Sequence, residues 1–304
     1  MVTVKTLITS IIYNPERIAL HVWDKISPAI PDKLFLAVKY RLIMGYWMDF
    51  NHPKTYTEKL QWLKLYDRHP SYTTMVDKLA VKKYVAQLIG EKYVIPTLGV
   101  WDRPEQIEWD ILPDKFVLKT THGGGNTGVV IVKDKKTINR SEVVNKLNKA
   151  LKQDIYSRWR EYPYKHVQKR IIAEQYLDDN LKDYKFYCFD GKVELLLVAS
   201  NRTTTHNFDY FDMQFRHLDL TSVCGENSHN MIVKPANFET MIALAQQLSA
   251  GIPHVRVDMY NHQGEIYFGE LTFYDSSGYD DLQSKEWNQR LGDWIVLPST
   301  RKNG

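Results

Sequence analysis

Cysteine is nearly absent: Cys188 and Cys224 are the only two in 304 residues, and they lie far apart. That leaves a disulfide scaffold and a Cys-rich zinc site without support, and it suits a reducing compartment. Long apolar runs are also missing, and none approaches the roughly 20 residues needed to span a bilayer. The short apolar stretch at residues 6–13 runs into Asn14-Pro15-Glu16-Arg17 without a small-residue cleavage pattern, so it does not read as a signal peptide. There is no clustered basic stripe. Lys and Arg are interspersed with Asp and Glu for a net charge of +4, so no nucleic-acid partner is expected. A mild positive excess suits an anionic substrate and an ordinary surface equally well. Internal repeats and low-complexity tracts are lacking too. The expected location is the cytoplasm, with a peripheral contact at the inner membrane face as an option.

What is present is ordinary in bulk, with 43% hydrophobic and 25% charged residues. The length exceeds what one small core usually holds, so two or three closely packed subdomains are expected. Residues 1–90 read as helical. Met75, Leu79, Val81, Tyr84, Val85 and Leu88 recur at near-helical spacing and predict one helix over 71–89, stopped by Gly90. Residues 56–66 predict another. The aromatic and basic segment 34–48 reads as a helix packed on the core, the alternative being contact with a membrane surface or a partner.

Beyond Gly90 strands dominate. They are expected at 93–95, 116–119, 129–133 and 170–177, with a helix over 141–155 capped by Ser141. A hairpin of 184–189 and 192–200 turns at Asp190-Gly191. A helix over 238–250 precedes a second hairpin, 254–260 and 265–273, joined across Asn261-His262-Gln263-Gly264. The class is α+β or mixed α/β.

The first chemical signal is Gly123-Gly124-Gly125-Asn126-Thr127-Gly128. Glycines tolerate positive φ and let backbone N–H groups approach phosphate, although a plain flexible turn looks the same. A dinucleotide fingerprint needs a helix after the loop, and here the strand-like Val129-Val130-Ile131-Val132 follows. A P-loop needs Lys then Ser or Thr, and Val129-Val130 stand there instead. What remains is a strand, Lys119, a mobile glycine loop and a second strand: a flap able to fold over a nucleotide.

The second signal is acidic. Arg256, Asp258 and Tyr260 alternate along one strand, as do Phe268, Glu270 and Thr272 along the next, so each trio shares a face. Asp258, Glu270 and Thr272 together make a hard oxygen site of the kind Mg²⁺ prefers. The opposite face, with Val255, Val257, Met259, Tyr267, Leu271 and Phe273, is mostly apolar. Residues 171–177 end in Glu174, Gln175, Tyr176 and Leu177, groups suited to an adenine. Asp183 and Lys185 alternate at the start of the following strand, which places Lys185 to neutralise phosphate.

The order of these pieces resembles the ATP-grasp superfamily and, more closely, its TupA-like branch, named for teichuronopeptide biosynthesis. The residues carrying the resemblance are Thr55-Tyr56-Thr57-Glu58-Lys59-Leu60-Gln61-Trp62, Asp77-Lys78 and Leu112-Pro113-Asp114-Lys115-Phe116-Val117-Leu118-Lys119, followed by the glycine loop, Asp183-Tyr184-Lys185-Phe186 and Gly269-Glu270-Leu271-Thr272-Phe273-Tyr274. The resemblance implies an ATP-grasp fold in which two α+β subdomains sandwich ATP. Its divisions would be a helical region 1–90, a small subdomain 91–175 with the glycine lid, and a subdomain 176–304 with the metal hairpin. It implies ATP contacts from Lys119, Gly123, Gly124, Gly125, Gly128, residues 174–177 and Asp183. Lys185 and Arg256 would be catalytic, and Asp258 and Glu270 would hold Mg²⁺. Many members carry Asn where Thr272 stands, which puts its metal contact in doubt. The implied activity is an ATP-dependent ligase joining a carboxylate, such as a uronic acid, to an amine through an acyl phosphate. A glycosyltransferase of polysaccharide assembly is the alternative, but the chain has no Asp-x-Asp triplet, only the adjacent pairs Asp178-Asp179 and Asp280-Asp281. A non-catalytic nucleotide-binding protein is a third reading.

Overall fold

The computed structural model describes residues 15–124, 127–179, 181–200, 207–222, 225–228 and 231–299. The chain opens with helices α1 (Pro15–Ile26), α2 (Asp32–Met44), α3 (Tyr56–Tyr66), α4 (Ser71–Val76) and α5 (Ala80–Ile89). In α2 the side chains of Phe35, Leu36 and Tyr40 are fully buried, whereas Leu34 on the same helix and Tyr46 and Trp47 beyond its end stay exposed. A capping box starts α3: the Thr55 hydroxyl accepts from the Glu58 N–H and the Glu58 carboxylate accepts from the Thr55 N–H. The helix expected over 71–89 is two helices. The Asp77 carboxylate accepts from the backbone N–H groups of Leu79 (2.8 Å) and Ala80 (3.2 Å), which ends one helix and restarts the next. Residues 93–95 are likewise not a strand, because the Val94 N–H closes a short 3-10 turn onto Glu91.

Strand β1 (Thr97–Trp101) is followed by β2 (Phe116–Thr120), β3 (Val129–Val132), α6 (Arg140–Leu151), α7 (Ile155–Trp159) and β4 (Ile171–Gln175). Helix α6 is capped by Asn139 rather than Ser141, and it ends early because Asp154 caps a separate helix. The four strands form an antiparallel sheet in the order β1-β4-β2-β3.

The remaining elements are β5 (Asp183–Phe189), β6 (Lys192–Ser200), β7 (Asn207–Phe211), β8 (His217–Leu218), α8 (Phe238–Ser249), β9 (Val255–His262), β10 (Glu265–Thr272) and α9 (Lys285–Trp294). They build a second antiparallel sheet in the order β10-β9-β5-β6-β7-β8, extended by two strands beyond the expected hairpins. Asp190 and Gly191 have φ of 46° and 79°, and Gln263 and Gly264 have 53° and 85°, so both hairpins close with two left-handed residues. The second turn is therefore tighter than expected, with His262 and Glu265 already paired.

One residue revises the faces of that hairpin. Phe268 pairs with Met259, but Glu270 pairs with Asp258, leaving Gly269 as a bulge. A Cβ at Gly269 would sit 3.0 Å from the Asp258 carbonyl oxygen. Before the bulge Ile266 and Phe268 enter the core, and after it Leu271 and Phe273 do. Phe268 therefore does not share the polar face with Glu270 and Thr272, and Tyr267 is not on the apolar one.

Helices α3–α5 and the second sheet share one core, in which Leu60, Leu63, Tyr72 and Val85 cluster with Phe186, Leu196 and Val257, while Phe35, Leu36 and Tyr40 of α2 form a separate cluster. The end of α9 is clamped on α3, where Lys59 Nζ donates to the carbonyls of Gly292 (2.8 Å) and Ile295 (2.9 Å). Among the described residues, no helix is long and apolar enough to cross a membrane.

Candidate active site

A cleft of about 770 Å³ lies between the two sheets. One wall comes from β2, β3 and the end of β4, the other from β5, β9 and β10. Among the sequence-derived candidates, Lys119, Gly124, Glu174, Gln175, Tyr176 and Leu177 line the first wall. Asp183, Lys185, Arg256, Asp258, Glu270 and Thr272 line the second. Gly123 and Gly128 lie at the base of the flap, outside the lining, and Gly125 falls outside the described residues.

Strand alternation explains the first wall. Phe116, Leu118 and Thr120 are buried in the small subdomain, which leaves Val117 and Lys119 to face the cleft. Val117 pairs with Glu174, so the lysine and the carboxylate sit on neighbouring rungs. Lys119 Nζ lies 2.5 Å from one Glu174 oxygen, and Lys82 Nζ from α5 lies 2.6 Å from the other. Burial raises the Glu174 pKa, but Lys119 and then Lys82 outweigh it, and the carboxyl is held below its ordinary value. Lys119 is driven the other way: burial disfavours its charge, yet Glu174 keeps it firmly protonated. Glu174, expected to face the adenine, thus spends both oxygens on lysines. Gln175, Tyr176 and Leu177 follow at the cleft mouth.

Gly123 and Gly128 serve close approach rather than positive φ. A Cβ on Gly123 would come within 2.4 Å of Thr120 Oγ1, and one on Gly128 within 2.2 Å. Neither glycine is in the left-handed region. Both strand ends therefore fold tightly over Thr120, which sets the flap's hinge.

The second wall is a network of charges on adjacent rungs. Asp258 pairs in register with Lys185 on one side and with Glu270 on the other. Arg256 grips Asp258 through two bonds of 2.7 and 2.9 Å. Lys185 bridges Asp258 and Asp183, the latter at 2.7 Å. Arg256 also contacts Asp275 and reaches Thr272 Oγ1 at 3.3 Å. Burial pushes the Asp258 carboxyl up, against the pull of Arg256 and Lys185. Glu270 is also raised by burial, but Lys78, Lys185 and Arg256 prevail and hold it well below the usual carboxylate range.

Two members of this network carried no role in the sequence reading. Lys78 lies 3.2 Å from Glu270 and donates to the Gly123 carbonyl at 2.6 Å, so it ties the flap's base to the acidic hairpin. It was visible only within the Asp77-Lys78 dipeptide. Asp275 follows the hairpin directly and receives Arg256 and the Tyr187 hydroxyl. No local pattern marks it, since its partners come from other strands.

The donor set suits a hard divalent cation. Among the described residues no cluster of three or more His, Cys, Asp or Glu forms a ready-made cage. Two neighbouring carboxylates with a hydroxyl suit Mg²⁺, which keeps waters and phosphate oxygens as its other ligands. Glu270, with 32% of its side chain exposed, opens on the cleft, while Asp258, at 2%, is held from behind by Arg256 and Lys185.

The profile of a family described as TupA-like ATPgrasp matches residues 58–296. No curated protein matches the chain. Among solved structures, D-alanine–D-alanine ligase from Bacillus anthracis is 20% identical, with a TM-score of 0.40, over 66% of this chain and 57% of that one. D-Alanine-D-alanine ligase from Helicobacter pylori is 14% identical, with a TM-score of 0.45, over 80% and 69%. The ATP-grasp ligase PsnB, solved with minimal precursor, Mg and ADP, is 13% identical, with a TM-score of 0.38, over 71% and 57%. The chain thus spans little more than half the length of the Bacillus anthracis enzyme.

Proposed function

Because the chain belongs to the TupA-like ATP-grasp family, we propose that it is an ATP-dependent ligase that activates a carboxylate as an acyl phosphate and joins it to an amine. The observation that carries this reading is the polarity of the cleft. Two lysines around one carboxylate face a network of carboxylates held by Lys185, Arg256 and Lys78. A triphosphate placed between them meets cations on one side and metal-binding oxygens on the other.

In this reading Lys119 holds the phosphates and residues 174–177 flank the adenine. The substrate carboxylate attacks the γ-phosphorus in line, and the bond to the ADP oxygen breaks. Arg256 and Lys185 lie where charge builds on the transferring group, and such placement supplies most of the catalysis in phosphoryl transfer. A Mg²⁺ on Asp258 and Glu270, with Thr272 beside them, would neutralise phosphate charge. The amine then attacks the acyl carbon and phosphate departs. The flap shields the acyl phosphate from water. For substrates we propose a uronic acid of a cell-surface polysaccharide or its precursor, coupled in the cytoplasm to an amino acid or amino sugar.

An ADP-release screen of sugar acids against amines, read by mass spectrometry for the amide, tests the assignment. With the active pair, Asp258→Asn and Glu270→Gln should each lower turnover by about 10²–10³-fold. Full turnover in both variants sinks the assignment. Thermal stabilisation by a sugar nucleotide in preference to ATP would favour a glycosyltransferase instead.

A further inference from the structure

The cleft continues past the charge network to a second group of residues, Trp159, Glu161, Tyr164, Tyr274 and Ser277. Glu161 is only 6% exposed, yet it lines the open space. The Ser277 hydroxyl donates to its Oε1 at 2.6 Å. Among the described residues no other hydrogen bond or ion pair reaches this carboxylate. The buried Lys64 ammonium acts on it from a distance, and a ligand that brings a second positive charge into direct contact lowers the cost of keeping this buried acid ionised.

The backbone beside it is held in an unfavourable shape. Ser276 and Ser277 have φ of 48° and 53°, two successive non-glycine residues in the left-handed region. Buried groups of α3 enforce it: Lys64 Nζ donates to the Ser277 carbonyl at 2.7 Å, and Gln61 Nε2 to the Gly278 carbonyl at 2.8 Å. The result directs Asp275 to Arg256 and the Ser277 hydroxyl to Glu161. One strained turn therefore links the reaction centre to Glu161. Tyr164 lines the same cleft as Glu161 and Glu270, and the charges of both act on its hydroxyl.

A negative group here repels a phosphate or a second carboxylate and attracts a cation. Tyr164, Tyr274 and Trp159 add aromatic faces, which also favour cations. We infer that this end of the cleft is the amine subsite, where Glu161 receives the ammonium group of a primary-amine acceptor while Ser277 orients the carboxylate. The inference rests on the ligase reading above and names its acceptor class. Glu161 is then also the base: an ammonium N–H bond breaks, the proton moves to the carboxylate, and the freed lone pair attacks the acyl carbon. The carbon–oxygen bond to phosphate breaks, its electron pair leaves on phosphate, and phosphate takes the second amine proton. Burial raises the Glu161 pKa more than Lys64 and Ser277 lower it, which suits a proton acceptor.

The test uses the full chain loaded with AMP-PNP and Mg²⁺, probed by saturation-transfer NMR with glycine, ethanolamine and glucosamine, and with N-acetylglucosamine as the neutral control. At least one amine should bind the wild type, and the N-acetyl compound should not. Glu161→Gln should weaken that amine about tenfold or more, with AMP-PNP affinity kept as the sign of an intact fold. Ser277→Ala should give a smaller loss in the same direction, and it decides the matter if Glu161→Gln also loses AMP-PNP. Unchanged amine binding in these variants, or none of the amines binding the loaded wild type, overturns the inference. A wild type that binds no AMP-PNP overturns the ligase reading instead.

Discussion

The two walls of the cleft solve opposite electrostatic problems. Beside the small sheet the Glu174 carboxylate stands between Lys119 and Lys82, so this cluster carries excess positive charge. On the large sheet four carboxylates, Asp183, Asp258, Glu270 and Asp275, share three cations, Lys185, Arg256 and Lys78, so that wall carries excess negative charge. Neither wall holds an isolated charge, and this is how a buried site keeps ionised groups ready without paying full desolvation. The contrast also teaches what each wall awaits: an anion on the first and a metal cation on the second.

Removing one cation from each wall should separate them most sharply. Arg256→Met leaves the buried Asp275 without its cation and Asp258 with Lys185 alone, and should cost about 3–5 kcal/mol of stability. Lys119→Met leaves Glu174 its Lys82 partner and should cost only about 1–3 kcal/mol, while weakening ATP roughly 10–100-fold. Urea unfolding and nucleotide titration measure the two, and equal destabilisation would erase the distinction between the walls.

A gentler probe uses the histidine on each side. His122, beyond β2, and His254, before β9, are both pushed down to about 4 by burial. Each is neutral in the fold and free to protonate when unfolded. Their contribution is complete above the ordinary value of 6.5 and is lost as pH falls toward about 4. The melting temperature should therefore drop between pH 7 and 4, and His254→Asn should flatten the slope. A profile unchanged by that substitution would show that His254 contributes nothing to it.

The smallest effect is expected at Thr272, which makes only long hydrogen bonds of 3.3 and 3.4 Å to Arg256 and Glu270. Thr272→Ala should change turnover by roughly threefold or less. A much larger loss would place this hydroxyl among the groups that bind the metal.

Much of this was readable in residue order because the determinants are local. Asp190-Gly191 specifies a hairpin through its backbone preferences, and period-two alternation put Asp258 and Lys185 on cleft-facing rungs. Other features depend on bonds that alternation does not encode. The carboxylate of Asp77 breaks a helix whose apolar spacing runs on unbroken, and Asn139 displaces Ser141 as a cap. Strand β7 mixes Asn, Phe, Asp and Tyr without clear alternation and β8 is only His217–Leu218, so only the neighbouring β6 reveals them. Asp275 and Lys78 become part of the site solely because distant strands meet there.

The extra residue at Gly269 has an evolutionary consequence. The hairpin carries two phases of in-and-out alternation spliced at that point, much as a frameshift splices two messages. Deleting Gly269 would join the two phases into one regular ladder, with Glu270 still opposite Asp258 and Leu271 still in the core, and would remove only the local bend of the bulge. A one-residue deletion at the bulge is therefore milder for the chemistry than one elsewhere along β10, where a slip exchanges the two faces.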